Sequence, residues 1–151
     1  VGAATLDFER SGINRVVAGI RVYEELVAFA RETKVARERP GMRAKLAELG
    51  IEIHTGRLLA YRVASMQARG QIPNAEASMS KMYGSELQQR IALTGMQLFG
   101  LAGQLETGRW APLAGRLEQY YLSASALTVA AGTSEIQRNI IAGRGLGLPR
   151  G

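Results

Sequence analysis

Residues 42–63 read MRAKLAELGIEIHTGRLLAYRV, and apolar or small residues recur in this stretch at every third or fourth position. The positions that share this spacing are Met42, Leu46, Leu49, Ile53, Gly56, Ala60 and Val63. A spacing of three and four residues places side chains on one face of an α-helix, whereas a half-buried strand would alternate at every second residue. The stretch therefore predicts a long amphipathic helix, from about Met42 to Arg69, that packs against other helices.

The same spacing continues on both sides of this stretch, and no segment alternates like a strand. Long helices are predicted at about Leu6–Arg37, Met42–Arg69, Ala75–Ala102 and from Leu113 to an interruption at Gly132. Pro40-Gly41 should end the first of them. Ser134 and Gln137 have the spacing of a capping box, which predicts a short last helix to about Ala142. The predicted fold is all-α: an antiparallel four-helix bundle with a short extra C-terminal helix.

Composition restricts the possible classes of protein. A chain of 151 residues with 46% hydrophobic and 21% charged residues is one globular domain, or one lobe of a larger protein. The absence of cysteine excludes disulfides and thiolate metal sites and fits a reducing cytoplasm. His54 has no second histidine at ligand spacing, so no metal site is expected. We find no secretory signal and no run near the roughly 20 apolar residues that span a bilayer. The start at Val1, without Met, is interpreted as that of a fragment cut from a longer chain.

The formal net charge is +6, and six basic residues lie close together in the sequence. They are Arg31, Lys34, Arg37, Arg39, Arg43 and Lys45. No aromatic residues are interleaved with them and no nucleic-acid motif accompanies them, so nucleic-acid binding is disfavoured. A solvated surface or a subunit contact is the favoured interpretation, and an anionic small molecule or a cofactor phosphate is a further one.

Glu9 is the most informative polar residue, because it continues the apolar line of Ile13, Val16 and Ile20 towards the N-terminus. A carboxylate on a buried line loses solvation, which raises its pKa towards the range that a general base needs near neutral pH. The alternative is a frayed helix end, where Glu9 pairs with Arg10 or interacts with the helix dipole.

Two glycine-containing segments could approach a ligand. In Gly132-Thr133-Ser134-Glu135, the glycine permits close approach of the main chain, and the start of the next helix offers free N–H groups. A capped helix–helix turn would also explain this segment. In Gln97–Gly103 the glycines follow a long helix, and helix termination alone would explain them.

Together these segments resemble the C-terminal domain of the acyl-CoA dehydrogenase family. Leu6-Asp7-Phe8-Glu9-Arg10 is similar to the start of its first helix, and Gln97–Gly103 is similar to its Gln-x-x-Gly-Gly-x-Gly stretch. Ala131-Gly132-Thr133-Ser134-Glu135-Ile136-Gln137-Arg138 closely matches its most specific signature. The resemblance covers residues 1–151, in the same order and spacing as in the family.

The resemblance implies FAD-dependent removal of the α-proton and β-hydride of an acyl-CoA, which yields a trans-2-enoyl-CoA. Electrons then pass to an electron-transferring flavoprotein. Many members carry the base directly before Gly-Thr-Ser, where this chain has Ala131, which cannot act as a base. One branch carries it on the first helix at the position of Glu9, so Glu9 is the predicted catalytic base. The domain alone is expected to be colourless and inactive.

The same comparison assigns the remaining site residues. Those expected to line the acyl-CoA are Asp7, Arg10 and Gly132. Those expected to approach the flavin are Gln97, Gly100, Thr133, Ser134 and Glu135.

Two departures from the family pattern bear on assembly. Thr33-Lys34-Val35-Ala36-Arg37 replaces an Arg-x-x-Phe-Gly pattern that reaches the FAD of a neighbouring subunit, and Leu101-Ala102 departs from the glycine-rich stretch. With these two departures the chain looks similar to actinobacterial acyl-CoA dehydrogenases for sterol side chains, which assemble from two unlike subunits. A homo- or hetero-oligomer is therefore expected. The alternative function is that of a non-catalytic structural subunit in a heteromeric dehydrogenase.

Overall fold

The computed structural model describes residues 13–149, and within that range all regular secondary structure is helical. The α-helices are α1 (Ile13–Glu32), α2 (Val35–Glu38), α3 (Pro40–Ala68), α4 (Asn74–Phe99), α5 (Arg116–Leu127) and α6 (Ser134–Ile140). Gly100–Gln104 and Pro112–Gly115 form 3₁₀ turns, and Ile141–Gly145 forms a π-helical turn. The predicted all-α class is confirmed. Of the helices in this range, none combines the length and the apolar character needed to cross a membrane.

The core forms where α1, α3 and α4 meet, and α4 also packs against α5 and α6. The core side chains are Leu26, Ala30, Met42, Leu46, Leu49, Ile53, Leu87, Ile91 and Leu98. All seven residues of the predicted 42–63 stripe are buried, so that prediction is confirmed. Glycines allow the helices to approach closely: a Cβ on Gly95 would lie 2.6 Å from Leu117 Cδ1, and one on Gly56 would lie 3.3 Å from Val16 Cγ2. α4 is thus the central helix, and the other elements are positioned by it.

The first predicted helix is wrong at its C-terminal end. α1 ends at Glu32, and the Thr33 hydroxyl donates a hydrogen bond to the Phe29 carbonyl oxygen at 2.7 Å. Lys34 then adopts a left-handed conformation with φ 60°, which starts the separate short helix α2. Pro40 occupies the first turn of α3 rather than ending α1, because its missing N–H is not needed there.

The chain on either side of α5 also differs from the prediction. α4 ends at Phe99, because Gly100 takes φ 59° and ψ −134°, a conformation that side chains disfavour. α5 begins at Arg116 rather than Leu113, since Leu113 and Ala114 are left-handed at φ 53° and 54°. It ends at Leu127, before the expected interruption at Gly132, so the turn to α6 is longer than predicted.

Candidate functional site

The turn between α5 and α6, residues 128–133, is called here the Gly132 turn. Ala131 and Gly132 both have positive φ, 57° and 97° respectively. A Cβ added to Gly132 would lie 2.7 Å from Nε2 of Gln137, so a side chain at this position would displace the Gln137 amide. Glycine is therefore required here both by the backbone conformation and by the close approach of Gln137.

Thr133 caps the N-terminus of α6. Its side chain accepts a hydrogen bond from the Ile136 N–H at 3.4 Å, while Ser134, inside the helix, is buried. The predicted capping box of Ser134 and Gln137 is therefore wrong by one residue.

Two fully buried polar side chains donate hydrogen bonds to main-chain carbonyl oxygens of the Gly132 turn. Lys81 Nζ, from α4, donates to the carbonyl oxygens of Gly132 at 2.6 Å and Thr128 at 3.4 Å. Gln137 Nε2, from α6, donates to the carbonyl oxygens of Ala131 at 3.1 Å and Gly132 at 3.3 Å. Lys81 was not singled out from the sequence, and Gln137 was named there only for a capping box and as part of the family signature. The sequence carried one usable signal, since Ser78, Lys81 and Ser85 are polar residues at helical spacing. In the structure all three are buried on α4.

An open cleft of about 550 Å³ lies beside the Gly132 turn, between α4, the end of α5 and α6. Its lining residues are Glu86, Gln89, Arg90, Leu93, Thr128, Val129, Thr133, Ser134, Glu135 and Arg138. Three of the predicted flavin-facing residues therefore lie in one cleft. Gln97 and Gly100 do not line it.

Charged and polar side chains fix the walls of this cleft. Arg138 Nη2 contacts Glu86 Oε1 at 2.9 Å, which ties α6 to α4. Gln89 Nε2 donates to Thr128 Oγ1 at 3.1 Å, which ties the Gly132 turn to α4. These groups are partly exposed, so they add little to the free energy of folding. Their role is to orient the elements that form the cleft.

Glu135 is not suited to act as the base. A hydrogen bond from the Thr133 side chain, a backbone hydrogen bond and the nearby Arg138 charge lower the pKa of its carboxyl group. Its side chain is 77% exposed. A carboxylate with a lowered pKa is a weak proton acceptor at neutral pH, so Glu135 fits a binding role better than a catalytic one.

Gln97 and Gly100 lie near the end of α4, on a second exposed surface. Gln97 Oε1 accepts a hydrogen bond from Lys45 Nζ at 2.7 Å, which brings one member of the basic cluster to this surface. No atom lies within 4 Å of where a Cβ on Gly100 would be, so its main chain is open to a ligand.

The predicted base Glu9 and the predicted substrate residues Asp7 and Arg10 lie outside the described residues. What the structure does describe is the first turn of α1 after them. A Cβ on Gly84 of α4 would lie 3.5 Å from Arg15 Cβ, and Lys81, which holds the Gly132 turn, is one helical turn from Gly84. The described start of α1 and the Gly132 turn are thus at the same end of α4.

The family model "Acyl-CoA dehydrogenase, C-terminal domain" matches residues 1–146. The chain belongs to the acyl-CoA dehydrogenase family. This confirms the resemblance drawn from the Gly132-Thr133-Ser134-Glu135 signature, of which Thr133, Ser134 and Glu135 line the cleft and Gly132 does not.

Similar proteins include an acyl-CoA dehydrogenase, a solved structure named as a steroid ACAD and a subunit of a reductase-Etf complex. Acyl-CoA dehydrogenase IpdE1 of Mycolicibacterium smegmatis is 31% identical over 153 residues, covering 99% of this chain and 36% of that protein. The solved structure "Tcur3481-Tcur3483 steroid ACAD" superposes with a TM-score of 0.86 at 31% identity, covering 97% of this chain and 38% of the other. Caffeyl-CoA reductase-Etf complex subunit CarC of Acetobacterium woodii is 26% identical over 145 residues, covering 92% of this chain and 36% of that protein. The chain therefore spans little more than a third of the length of these relatives.

Proposed function

We propose that residues 1–151 are the C-terminal helical lobe of an FAD-dependent acyl-CoA dehydrogenase. The family match over residues 1–146, with its signature turn beside an open cleft, is the observation that carries the proposal. The full-length enzyme converts an acyl-CoA thioester to a trans-2-enoyl-CoA.

In the proposed reaction the Glu9 carboxylate takes the α-proton of the thioester. Ala131, at the other family position for the base, has no group that can accept a proton, and the lowered pKa of Glu135 makes it a poor acceptor. When bound, FAD supplies the acceptor for the β-hydride. The electron pair of the broken α-C–H bond forms the new double bond as the β-hydride leaves, so atoms and electrons balance.

The cleft has the mixed character that a flavin ring requires. Leu93 and Val129 present exposed apolar side chains to it, and Thr133 contributes a hydroxyl at its edge. The residues assigned to contact FAD are Thr133, Ser134, Glu135, Gln97 and Gly100. We assign contacts to the acyl-CoA to Asp7, Arg10 and Gly132.

We further propose that the full-length protein assembles with like or unlike dehydrogenase subunits in the cytoplasm. The name of the similar steroid dehydrogenase joins two components, and CarC is named as a subunit of an Etf complex. An electron-transferring flavoprotein is the proposed electron acceptor. The competing role, a structural subunit without catalysis, predicts that this subunit carries no FAD in the purified assembly.

The deciding experiment is anaerobic mixing of full-length holoenzyme with acyl-CoA substrates of varied chain, including a steroid side-chain thioester. We expect the flavin absorbance to bleach in the wild type. The Glu9→Gln enzyme should keep FAD but reduce it about 10³-fold more slowly, the range for loss of a general base. Glu24→Gln, at an exposed glutamate of α1, is the matched control and should react like the wild type. Flavin reduction by Glu9→Gln at the control rate would refute the assignment of the base.

A further inference from the structure

Lys81 is buried in a way that a lysine rarely is. Among the described residues it is the one Lys, Arg, Asp or Glu in the buried set, with a relative exposure of 0%. Burial of an ammonium group is unfavourable unless hydrogen bonds replace its lost water. At Lys81 main-chain carbonyl oxygens supply this replacement.

The two carbonyl groups bound by Lys81 stand at the two ends of the Gly132 turn. Thr128 directly follows the last residue of α5, where helix carbonyls lack partners and a cation is favourable. Gly132 directly precedes Thr133, the N-cap of α6. One ammonium group therefore links α4 to the end of α5 and to the start of α6.

The Gly132 turn depends on such restraints, because Ala131 and Gly132 both have positive φ. Gln137 donates to the same Gly132 oxygen, so this carbonyl accepts two side-chain hydrogen bonds. Replacing only the ammonium group by an apolar side chain would leave the Gly132 and Thr128 carbonyl oxygens without this donor, which destabilises the turn. The ammonium group thus fixes the position of both carbonyl groups and, with them, the placement of the turn.

We propose that Lys81 is a positioning residue for the dehydrogenation, acting through the main chain of the Gly132 turn. The inference rests on the proposed function, because it assigns to this turn the contact with the thioester and the flavin. In this proposal Lys81 acts on the turn and not by contact with the thioester or the flavin.

The test compares Lys81→Met with Leu49→Ala in the full-length holoenzyme. Methionine matches the length of lysine without its charge, and Leu49→Ala truncates the core among α1, α3 and α4, away from the turn. We expect Lys81→Met to lower the rate constant of flavin reduction about a hundredfold, the usual effect of a displacement near 1 Å, with the acyl-CoA Kd changed less than about threefold. Leu49→Ala should lower the melting temperature at least as much and leave the rate constant near that of the wild type. Equal rate losses in the two variants would reduce Lys81 to an ordinary structural residue.

A double-mutant cycle with Gln137→Met tests whether Lys81 acts through the Gly132 oxygen. If both side chains act on this one carbonyl, the loss in the double variant is smaller than the product of the single losses. Losses that multiply fully would contradict action through the shared oxygen.

Hydrogen exchange supplies a readout that does not depend on activity. In Lys81→Met the amides of Ile136 and Gln137, which donate to Thr133, should exchange about tenfold faster or more, while those of α3 stay unchanged. If the wild-type enzyme does not reduce its flavin but this change occurs, the proposed function fails and the restraint by Lys81 stands. If the amides do not change, the inference about Lys81 fails whatever the activity.

Discussion

Substitution of Gly132 by alanine tests why the turn at the cleft has its observed shape. The backbone at Gly132 has φ 97°, and the new Cβ would lie 2.7 Å from Gln137 Nε2. The substitution therefore strains the main chain and also displaces the side chain that binds the Ala131 and Gly132 oxygens.

The expected destabilisation of the turn follows from these two effects. Holding a non-glycine residue at positive φ costs about 1–2 kcal/mol. Loss of the two Gln137 hydrogen bonds adds about 1 kcal/mol each, less whatever water restores. The total is about 3 kcal/mol, or on the order of a hundredfold in the local opening equilibrium.

Hydrogen-exchange mass spectrometry on the full-length holoenzyme measures this opening directly. Peptides across residues 128–137 should exchange about a hundredfold faster in Gly132→Ala than in the wild type. Gly143→Ala is the matched control, because no atom lies within 4 Å of its new Cβ and its φ is not positive. Wild-type exchange in Gly132→Ala, or the same acceleration in Gly143→Ala, would refute the reasoning.

The remaining predictions concern substitutions at three positions. Burial raises the pKa of the Tyr120 phenol well above its usual value, so the phenol ionises more readily in the unfolded chain and stability falls as the pH rises above about 10; Tyr120→Phe should remove this alkaline loss in urea titrations across pH. Because the Tyr120 hydroxyl is buried with no hydrogen-bond partner among the described residues, the same variant should match or exceed the wild type at pH 7. Gly115→Ala should abolish folding of the 3₁₀ turn before α5, seen as protease sensitivity there, since its Cβ would lie 1.8 Å from the Glu106 carbonyl oxygen at φ 82°; a stable, protease-resistant variant would contradict this. Thr133→Ala should cost about 1 kcal/mol through loss of the α6 cap, measured by urea denaturation, while Thr133→Ser should cost little.

The sequence was sufficient for the regular parts of the fold. Apolar spacing located α3 within two residues at each end, because a buried stripe of this length leaves no other periodic assignment. The predicted helix ends are wrong where single residues adopt a left-handed backbone conformation. Lys34, Leu113 and Ala114 are left-handed, although this conformation is usually predicted only at glycine or asparagine. These turns therefore could not be predicted from the sequence.

The sequence predicted the signature turn of the site but not the residue that caps α6 or the buried lysine beneath the turn. The signature Gly132-Thr133-Ser134-Glu135 could be recognised, but Thr133 and Ser134 are both good caps, so the sequence could not show which one would serve. Lys81 lies 51 positions before its partner Gly132 in the chain. A contact of this kind depends on how α4 packs against the turn, which residue spacing within one helix cannot reveal.

The most direct measurement is a structure of the full-length protein with FAD and an unreactive acyl-CoA thioether bound. We predict that the flavin ring contacts residues 133–135 within about 4 Å and that the thioether end lies beside Gly132, facing the Glu9 carboxylate. A flavin bound elsewhere, with the cleft between α4 and α6 filled by side chains of another domain, would contradict the proposed site.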